Sequence, residues 1–141
     1  MSGPALTVDV VALAGAPPPH GVLLIQRAND PFAGAWALPG GFVEAGERVV
    51  AAASRELCEE TAIESDALEL LGVYDTPGRD PRGPTVSVVY VLRTAGELAV
   101  RGGDDAREAR WFALDALPAL AFDHAIVIAD AVSFAARAPR S

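Results

Sequence analysis

Three glutamates, Glu56, Glu59 and Glu60, lie close together in a segment that is rich in alanine. The segment Arg48–Thr61 has high helix propensity, and at about 100° per residue its three carboxylates share one side of the helix. Like charges one turn apart destabilise a helix by roughly 0.2–0.5 kcal/mol per pair. Oxygen ligands on one rigid surface suit Mg²⁺, with Mn²⁺ as a second candidate, and a bound divalent cation would remove this repulsion.

An acidic helix face exposed to solvent is the alternative interpretation, because such faces are common. The residues before the helix favour the metal interpretation. Gly40–Gly41 can bend the chain sharply, Glu44 and Glu47 lie near the helix N-terminus, and Arg55 can hold a carboxylate in a fork. The core side of the helix is predicted from an apolar arc formed by Val50, Ala53, Leu57 and Thr61.

This stretch resembles the Nudix box. Gly41, five residues, Glu47, seven residues and then Arg55–Ile63 match eight of the nine positions that the box specifies. The exception is Ala62, where the family usually has glycine. We expect Ala62 to adopt a left-handed backbone at the end of the helix, at a cost of about 1 kcal/mol.

The resemblance implies an α/β fold, a Nudix-type α/β/α sandwich around a mixed β-sheet, with residues 1–141 forming a single Nudix hydrolase domain. It implies that water attacks a pyrophosphate phosphorus, with a glutamate as the general base. Arg55 would orient Glu47, and Gly41 would shape the loop and offer backbone groups to a metal or substrate. The implied ligands of Mg²⁺ are Glu56, Glu59 and Glu60.

The order of elements predicted from the residues is compatible with this fold. Strands followed by a helix, further strands and a final helix indicate a mixed sheet with helices on both faces. The predicted strands are Thr7–Ala14, Val22–Gln26, Leu68–Tyr74, Thr85–Leu92 (buried on both faces) and Ala109–Phe112. The predicted helices are Arg48–Thr61 and Ala121–Ala136.

A loop of proline, glycine, aspartate and arginine carries two candidate substrate ligands, Arg79 and Arg82. Two guanidinium groups suit a diphosphate, and the alternative is a surface turn in which they pair with Asp80. The loop and the segment Leu120–His124 resemble the ADP-ribose pyrophosphatase branch of the family. Arg27 is a further candidate phosphate ligand or, alternatively, a surface charge.

Two more residues have open interpretations. Trp36 precedes the Leu-Pro-Gly-Gly turn and could stack on a nucleobase or pack at the sheet edge. Glu108 corresponds to a position where many Nudix proteins keep an extra acidic residue near the metal, and it could equally be a surface glutamate.

The net charge is -8, with 19 acidic and 11 basic residues, which argues against nucleic acid or an anionic membrane as partner. One cysteine, Cys58, excludes an intrachain disulfide and fits a cytoplasmic location, as do the lack of a signal peptide and of a membrane-spanning segment. The expected partner is a small nucleotide, and relatives of the ADP-ribose branch suggest a homodimer.

Three functions follow from the resemblance. The first is hydrolysis of ADP-ribose to AMP and ribose 5-phosphate. The second is hydrolysis of a nucleoside triphosphate of the 8-oxo-dGTP type, which the arginine loop disfavours. The third is a sensor that binds ADP-ribose or an NAD metabolite without catalysis, which the complete set of box glutamates disfavours.

Overall fold

The strands form where β-branched and aliphatic residues dominate, and the helices form where alanine and unbranched residues do. The computed structural model describes residues 3–103 and 106–137, without the side chain of Arg107. Its strands are β1 (Ala5–Ala14), β2 (Gly21–Arg27), β3 (Trp36–Ala37), β4 (Gly40–Phe42), β5 (Glu69–Tyr74), β6 (Thr85–Thr94) and β7 (Ala106–Ala113). Its helices are α1 (Val49–Thr61) and α2 (His124–Ala135).

In the part of the chain described, the seven strands form one mixed sheet in the order β3-β2-β1-β6-β5, with β4 pairing with β1 and β7 with β2. β1 and β6 are parallel along the full length of β1, from the pair Ala5–Thr85 to the pair Ala14–Thr94. The other pairs are antiparallel. β1 therefore lies at the centre of the sheet, and its neighbours are β2 and β4 on one side and β6 on the other.

Alternate residues of β1 face opposite sides of the sheet, as the geometry of a strand requires. Val8, Val10 and Ala12 pack in the core cluster that contains Leu57 of α1. Val11 and Leu13 pack in the cluster that contains Val127 and Ile128 of α2. One helix thus covers each face, which is the predicted α/β/α sandwich.

The predicted elements are present, with shifted ends. α2 begins at His124 and not at Ala121, because residues 119–121 are bonded to β3: the Trp36 amide donates to Ala119 O and the Ala121 amide donates to Trp36 O. Gly40 and Gly41, expected only as part of the Leu-Pro-Gly-Gly turn, pair with β1 as the first residues of β4. In β6 the first residues alternate between buried and half-buried, so the prediction of burial on both faces is wrong for this part of the strand.

The core side of α1 was predicted correctly except at its start. Val50 is 39% exposed, because Val49 takes the core-facing position in the first turn and packs against the cluster that contains Leu57. The buried residues of α1 are Ala52, Ala53, Leu57, Glu60 and Thr61.

Among the described residues, no helix has the length and hydropathy needed to cross a lipid bilayer.

Ala62 ends α1 in the left-handed region, as expected, with φ 66° and ψ 11°, and its amide donates to Cys58 O. We predict that Ala62→Gly raises the free energy of unfolding by about 1 kcal/mol, because glycine removes the clash of a Cβ in this region. Urea denaturation measures the change. Ala51→Gly, on the exposed side of the same helix, should have the opposite sign and lower stability by about 1 kcal/mol. A loss of stability in Ala62→Gly would contradict the left-handed helix end.

Candidate active site

The three predicted glutamates of α1, Glu56, Glu59 and Glu60, line one cleft of about 710 Å³ together with three arginines. We call it the glutamate cleft. It lies between the C-terminal half of α1, the segment around β4 and the chain that follows β2. Its lining includes Arg27, Asn29, Asp30, Gly40, Gly41, Phe42, Glu44, Arg55, Glu56, Glu59, Glu60 and Arg82.

Arg55 is bonded to three of the box glutamates. Its Nε and Nη2 donate to the two oxygens of Glu47 at 2.7 and 3.0 Å, and its Nη1 donates to Glu56 at 2.8 Å and Glu59 at 2.7 Å. Nη2 also donates to Phe42 O at 3.1 Å. The hydrogen bonds from Arg55 lower the pKa of the Glu47 carboxyl. The bonds to the glutamates in turn raise the pKa of the Arg55 guanidinium, and the bond to Glu47 contributes most. One cation thus offsets the repulsion among these glutamates.

The segment Leu38–Gly41, which we call the Leu38–Gly41 turn, positions the other carboxylates. The Gly40 amide donates to Glu60 Oε1 at 2.7 Å, and Glu60 is only 6% exposed. A Cβ on Gly41 would lie 2.6 Å from Glu56 Oε1. The carboxylate of Glu56 therefore occupies the space that a side chain at position 41 would need, which explains the glycine there.

Glu56, Glu59 and Glu60 offer oxygen donors to one cleft, the ligand class that Mg²⁺ and Mn²⁺ prefer. Within residues 3–103 and 106–137, no three His, Cys, Asp or Glu side chains already have the spacing of a metal site. The reason is local. Arg55 holds Glu56 and Glu59, while Glu60 is bonded to the Gly40 amide. The donor chemistry fits a hard divalent cation, which would compete with Arg55 for two of these carboxylates.

Two arginines lie beside the carboxylates. Arg82 has a side chain that is 46% exposed, and it forms a salt bridge of 2.8 Å with Asp80. Burial of Asp80 acts to raise its pKa, but the bonds and charge of Arg82 outweigh burial, and the pKa of Asp80 is lowered. The guanidinium of Arg27 lies 5.0 Å from the centroid of Phe122, and that of Arg82 lies 5.7 Å from both Phe42 and Phe122. This rim of the cleft is cationic and aromatic.

Arg79 differs from Arg82. Its side chain is 6% exposed, and its Nε and Nη2 donate to both carboxylate oxygens of Asp123 at 3.0 and 2.7 Å. It does not line the glutamate cleft but lines a smaller recess that adjoins it. Arg82 therefore forms the local pair with Asp80 that a surface turn would contain. Arg79 instead pairs with Asp123 at the start of α2.

Trp36 and Glu108 do not line the cleft that the described residues form. Trp36 is buried in β3, where its ring lies 4.8 Å from Phe112 and 5.0 Å from the guanidinium of Arg110. Glu108 is exposed on β7 and pairs with Arg110 at 3.2 Å. Trp36 thus packs at the edge of the sheet, and Glu108 is a surface glutamate.

A recess of about 80 Å³ adjoins the cleft, and of its polar groups sequence reasoning did not single out Asp9 and its partner Ser87. Asp9 is 8% exposed, and Ser87 Oγ donates to its Oδ2 at 2.6 Å. His124 is 3% exposed, and its Nε2 lies 3.7 Å from Asp9 Oδ1. One signal was available: Asp9 is the only charged residue in the strand-forming run Thr7–Ala14, and a charge at a buried position needs a partner.

Known proteins resemble this chain over most of its length. The ADP-ribose pyrophosphatase of Methanocaldococcus jannaschii is 54% identical over 110 residues, which are 77% of this chain and 64% of that protein. The ADPR-responsive transcriptional repressor NtrR of Acinetobacter baylyi is 38% identical over 125 residues, 86% of this chain and 50% of the repressor. The chain therefore spans less than two thirds of the length of both.

Solved structures agree with these relatives. The NUDIX domain of NrtR from Shewanella oneidensis, in complex with ADP-ribose, superposes with a TM-score of 0.86 at 32% identity, covering 95% of this chain and 90% of that one. The family model of the NUDIX domain matches residues 3–131. With Glu56, Glu59 and Glu60 of the box gathered at one cleft of an α/β/α sandwich, this chain belongs to the Nudix family.

Proposed function

We propose that the protein hydrolyses the pyrophosphate bond of ADP-ribose, giving AMP and ribose 5-phosphate. The observation that carries the proposal is the lining of one cleft by three box glutamates on one side and by Arg27 and Arg82 on the other. Such a cleft can bind a divalent cation and a diphosphate together, because each group of side chains has the opposite charge to its ligand.

The relatives support ADP-ribose as the substrate. One is named ADP-ribose pyrophosphatase, and one neighbouring structure contains ADP-ribose. The cleft volume of about 710 Å³ lies within the range typical of pockets for small ligands. A nucleoside triphosphate such as 8-oxo-dGTP is the competing substrate.

Glu56, Glu59 and Glu60 would hold the metal, which we propose to be Mg²⁺, with Mn²⁺ as the second candidate. When bound, such a cation offsets the charge of the non-bridging phosphate oxygens and lowers the pKa of attacking water. Gly41 has no side chain to separate its backbone from Glu56. The Gly41 backbone could therefore also approach a metal ion held by Glu56.

The side chains divide the remaining work. Arg55 keeps Glu47, Glu56 and Glu59 in fixed positions through hydrogen bonds of 2.7–3.0 Å. The paired hydrogen bonds between Arg55 and Glu47 hold these two side chains in fixed positions relative to each other. The general base that the reaction needs would be one of the carboxylates that line the cleft. Water adds to one phosphorus, its proton passes to the base, and the bridging oxygen leaves with the other phosphate.

A second candidate function is binding of ADP-ribose without hydrolysis. The resemblance to an ADPR-responsive repressor over 86% of this chain favours it. The retention of every box glutamate favours the hydrolase. Regulation of transcription would also need a surface for DNA, for which the net charge of -8 offers no general attraction.

We further propose that residues 1–141 form a single Nudix domain, which the match over residues 3–131 supports. A cytoplasmic location is supported by the presence of one cysteine, Cys58, which excludes an intrachain disulfide. A homodimer remains our expectation from the branch of the family.

The first test is product analysis with Mg²⁺ and either ADP-ribose or 8-oxo-dGTP. We expect AMP and ribose 5-phosphate from ADP-ribose, with Glu60→Gln at least about 100-fold slower, because the loss of one carboxylate weakens the stabilisation of charge in the transition state. Glu64→Gln is the matched control, since Glu64 is exposed just beyond the helix end. Turnover of 8-oxo-dGTP alone would refute ADP-ribose as the substrate. Tight binding of ADP-ribose without products would favour the second candidate function, binding without hydrolysis.

A second test concerns the arginine rim. Arg82→Leu should raise KM for ADP-ribose by about tenfold or more, because a charge-assisted contact to phosphate is worth roughly 1.5–3 kcal/mol. Arg82→Lys, which keeps the charge without the fork, should lie between Arg82→Leu and the native protein. Steady-state kinetics measures the effect, with thermal unfolding as a check because Asp80 loses its partner.

Arg110→Leu is the control for this test. Arg110 is exposed on β7 and paired with Glu108, away from the cleft. Its KM should match that of the native protein. An unchanged KM in Arg82→Leu would remove Arg82 from the substrate contacts.

A further inference from the structure

His124 is a buried histidine whose role in the proposed reaction has not been assigned above. It is the first residue of α2 and lies on the floor of the recess beside the glutamate cleft. Its ring is packed against Phe122, with the ring centroids 5.3 Å apart. Its Nε2 lies 3.7 Å from Asp9 Oδ1, and its side chain does not line the glutamate cleft.

The hydrogen bond of His124 defines its protonation state. The backbone amide of Leu38 donates to Nδ1 at 3.0 Å, in a bond that is buried and links parts of the chain 86 residues apart. Nδ1 must therefore carry a lone pair, and the proton of the neutral ring is on Nε2, on the side of Asp9. Burial, the largest influence, lowers the pKa of His124 and is consistent with a neutral ring.

Leu38 begins the Leu38–Gly41 turn, and this turn contacts two box glutamates. Leu38 is bonded to His124, Pro39 O accepts from the Val10 amide at 2.9 Å, and the Gly40 amide donates to Glu60. Gly41 lies against the carboxylate of Glu56. The turn is thus held at one end by α2 and contacts the acidic side of α1 at the other.

We propose that His124 is a positioning residue: by accepting the Leu38 amide it fixes the Leu38–Gly41 turn, and through Gly40 and Gly41 it sets the places of Glu60 and Glu56. The two helices lie on opposite faces of the sheet, and this turn connects the start of α2 with the carboxylates of α1. The proposal rests on the proposed function only in its consequence for turnover.

The test compares three substitutions at position 124. His124→Asn can place an oxygen near the position of Nδ1, His124→Gln places its amide near the position of Nε2, and His124→Leu keeps bulk without an acceptor. Hydrogen–deuterium exchange of the Leu38 and Gly40 amides is measured by NMR without metal or nucleotide. Rates are compared with those of amides in β1 and β6 of the same variant, which corrects for a general loss of stability.

We expect His124→Leu and His124→Gln to exchange both amides at least about tenfold faster relative to the core strands, because the Leu38 amide loses its buried acceptor. His124→Asn should remain within about threefold of the native protein, since its acceptor replaces Nδ1. His20→Leu, at an exposed histidine in the β1–β2 connection, is the control and should change neither amide.

The kinetic measurement separates this proposal from the proposed function. If ADP-ribose is a substrate, His124→Leu should lower kcat about tenfold with KM changed less than about threefold, and His124→Asn should restore kcat. Equal exchange in the Leu and Asn variants would overturn the proposal, as would faster exchange at Leu38 without any change at Gly40. The exchange data decide it even if ADP-ribose is not hydrolysed.

Discussion

The arrangement of the site depends on the bonds between Arg55 and three glutamates. A helix that carries Glu56, Glu59 and Glu60 on neighbouring positions concentrates negative charge in its second half, where the helix dipole is also unfavourable. The guanidinium of Arg55 offsets this charge with bonds to Glu47, Glu56 and Glu59. The same bonds also orient the carboxylates. Arg55 therefore both reduces the repulsion within α1 and sets the geometry of the site.

The sheet supplies the rigid frame on which this arrangement rests. β1 lies between β2, β4 and β6, and its alternate side chains pack under α1 on one face and α2 on the other. The site forms at one end of this frame, where β4 leaves β1 and contacts α1. The buried bond from the Leu38 amide to His124 fixes one end of the Leu38–Gly41 turn, and the part-buried bond from the Gly40 amide holds Glu60 at the other end.

The charges of the cleft are separated in space. The three candidate metal ligands, Glu56, Glu59 and Glu60, belong to α1, while Arg27 and Arg82 approach from β2 and from the β5–β6 connection. In a protein whose net charge is -8, these arginines create a local positive rim beside a negative surface. Such a division suits a substrate whose phosphates need both a cation and arginine, as the proposed ADP-ribose does.

Much of this protein follows from its sequence alone. The periodicity of α1 placed the glutamates on one side. The apolar and β-branched runs located β1, β2, β5, β6 and β7 to within a few residues, whereas the short strands β3 and β4 were not predicted. Ala62 was expected to be left-handed, and it is. These features depend on neighbours in the chain, so local propensity and spacing determine them.

Other features depend on contacts between distant residues, and only the tertiary structure decided them. Arg79 and Arg82 stand three positions apart in one loop, yet Arg79 is buried against Asp123 while Arg82 remains at the cleft. The bond from Leu38 to His124 joins residues 86 positions apart. Pairing, burial and the choice of hydrogen-bond partner arise when the sheet brings separate segments together, and no local pattern encodes them.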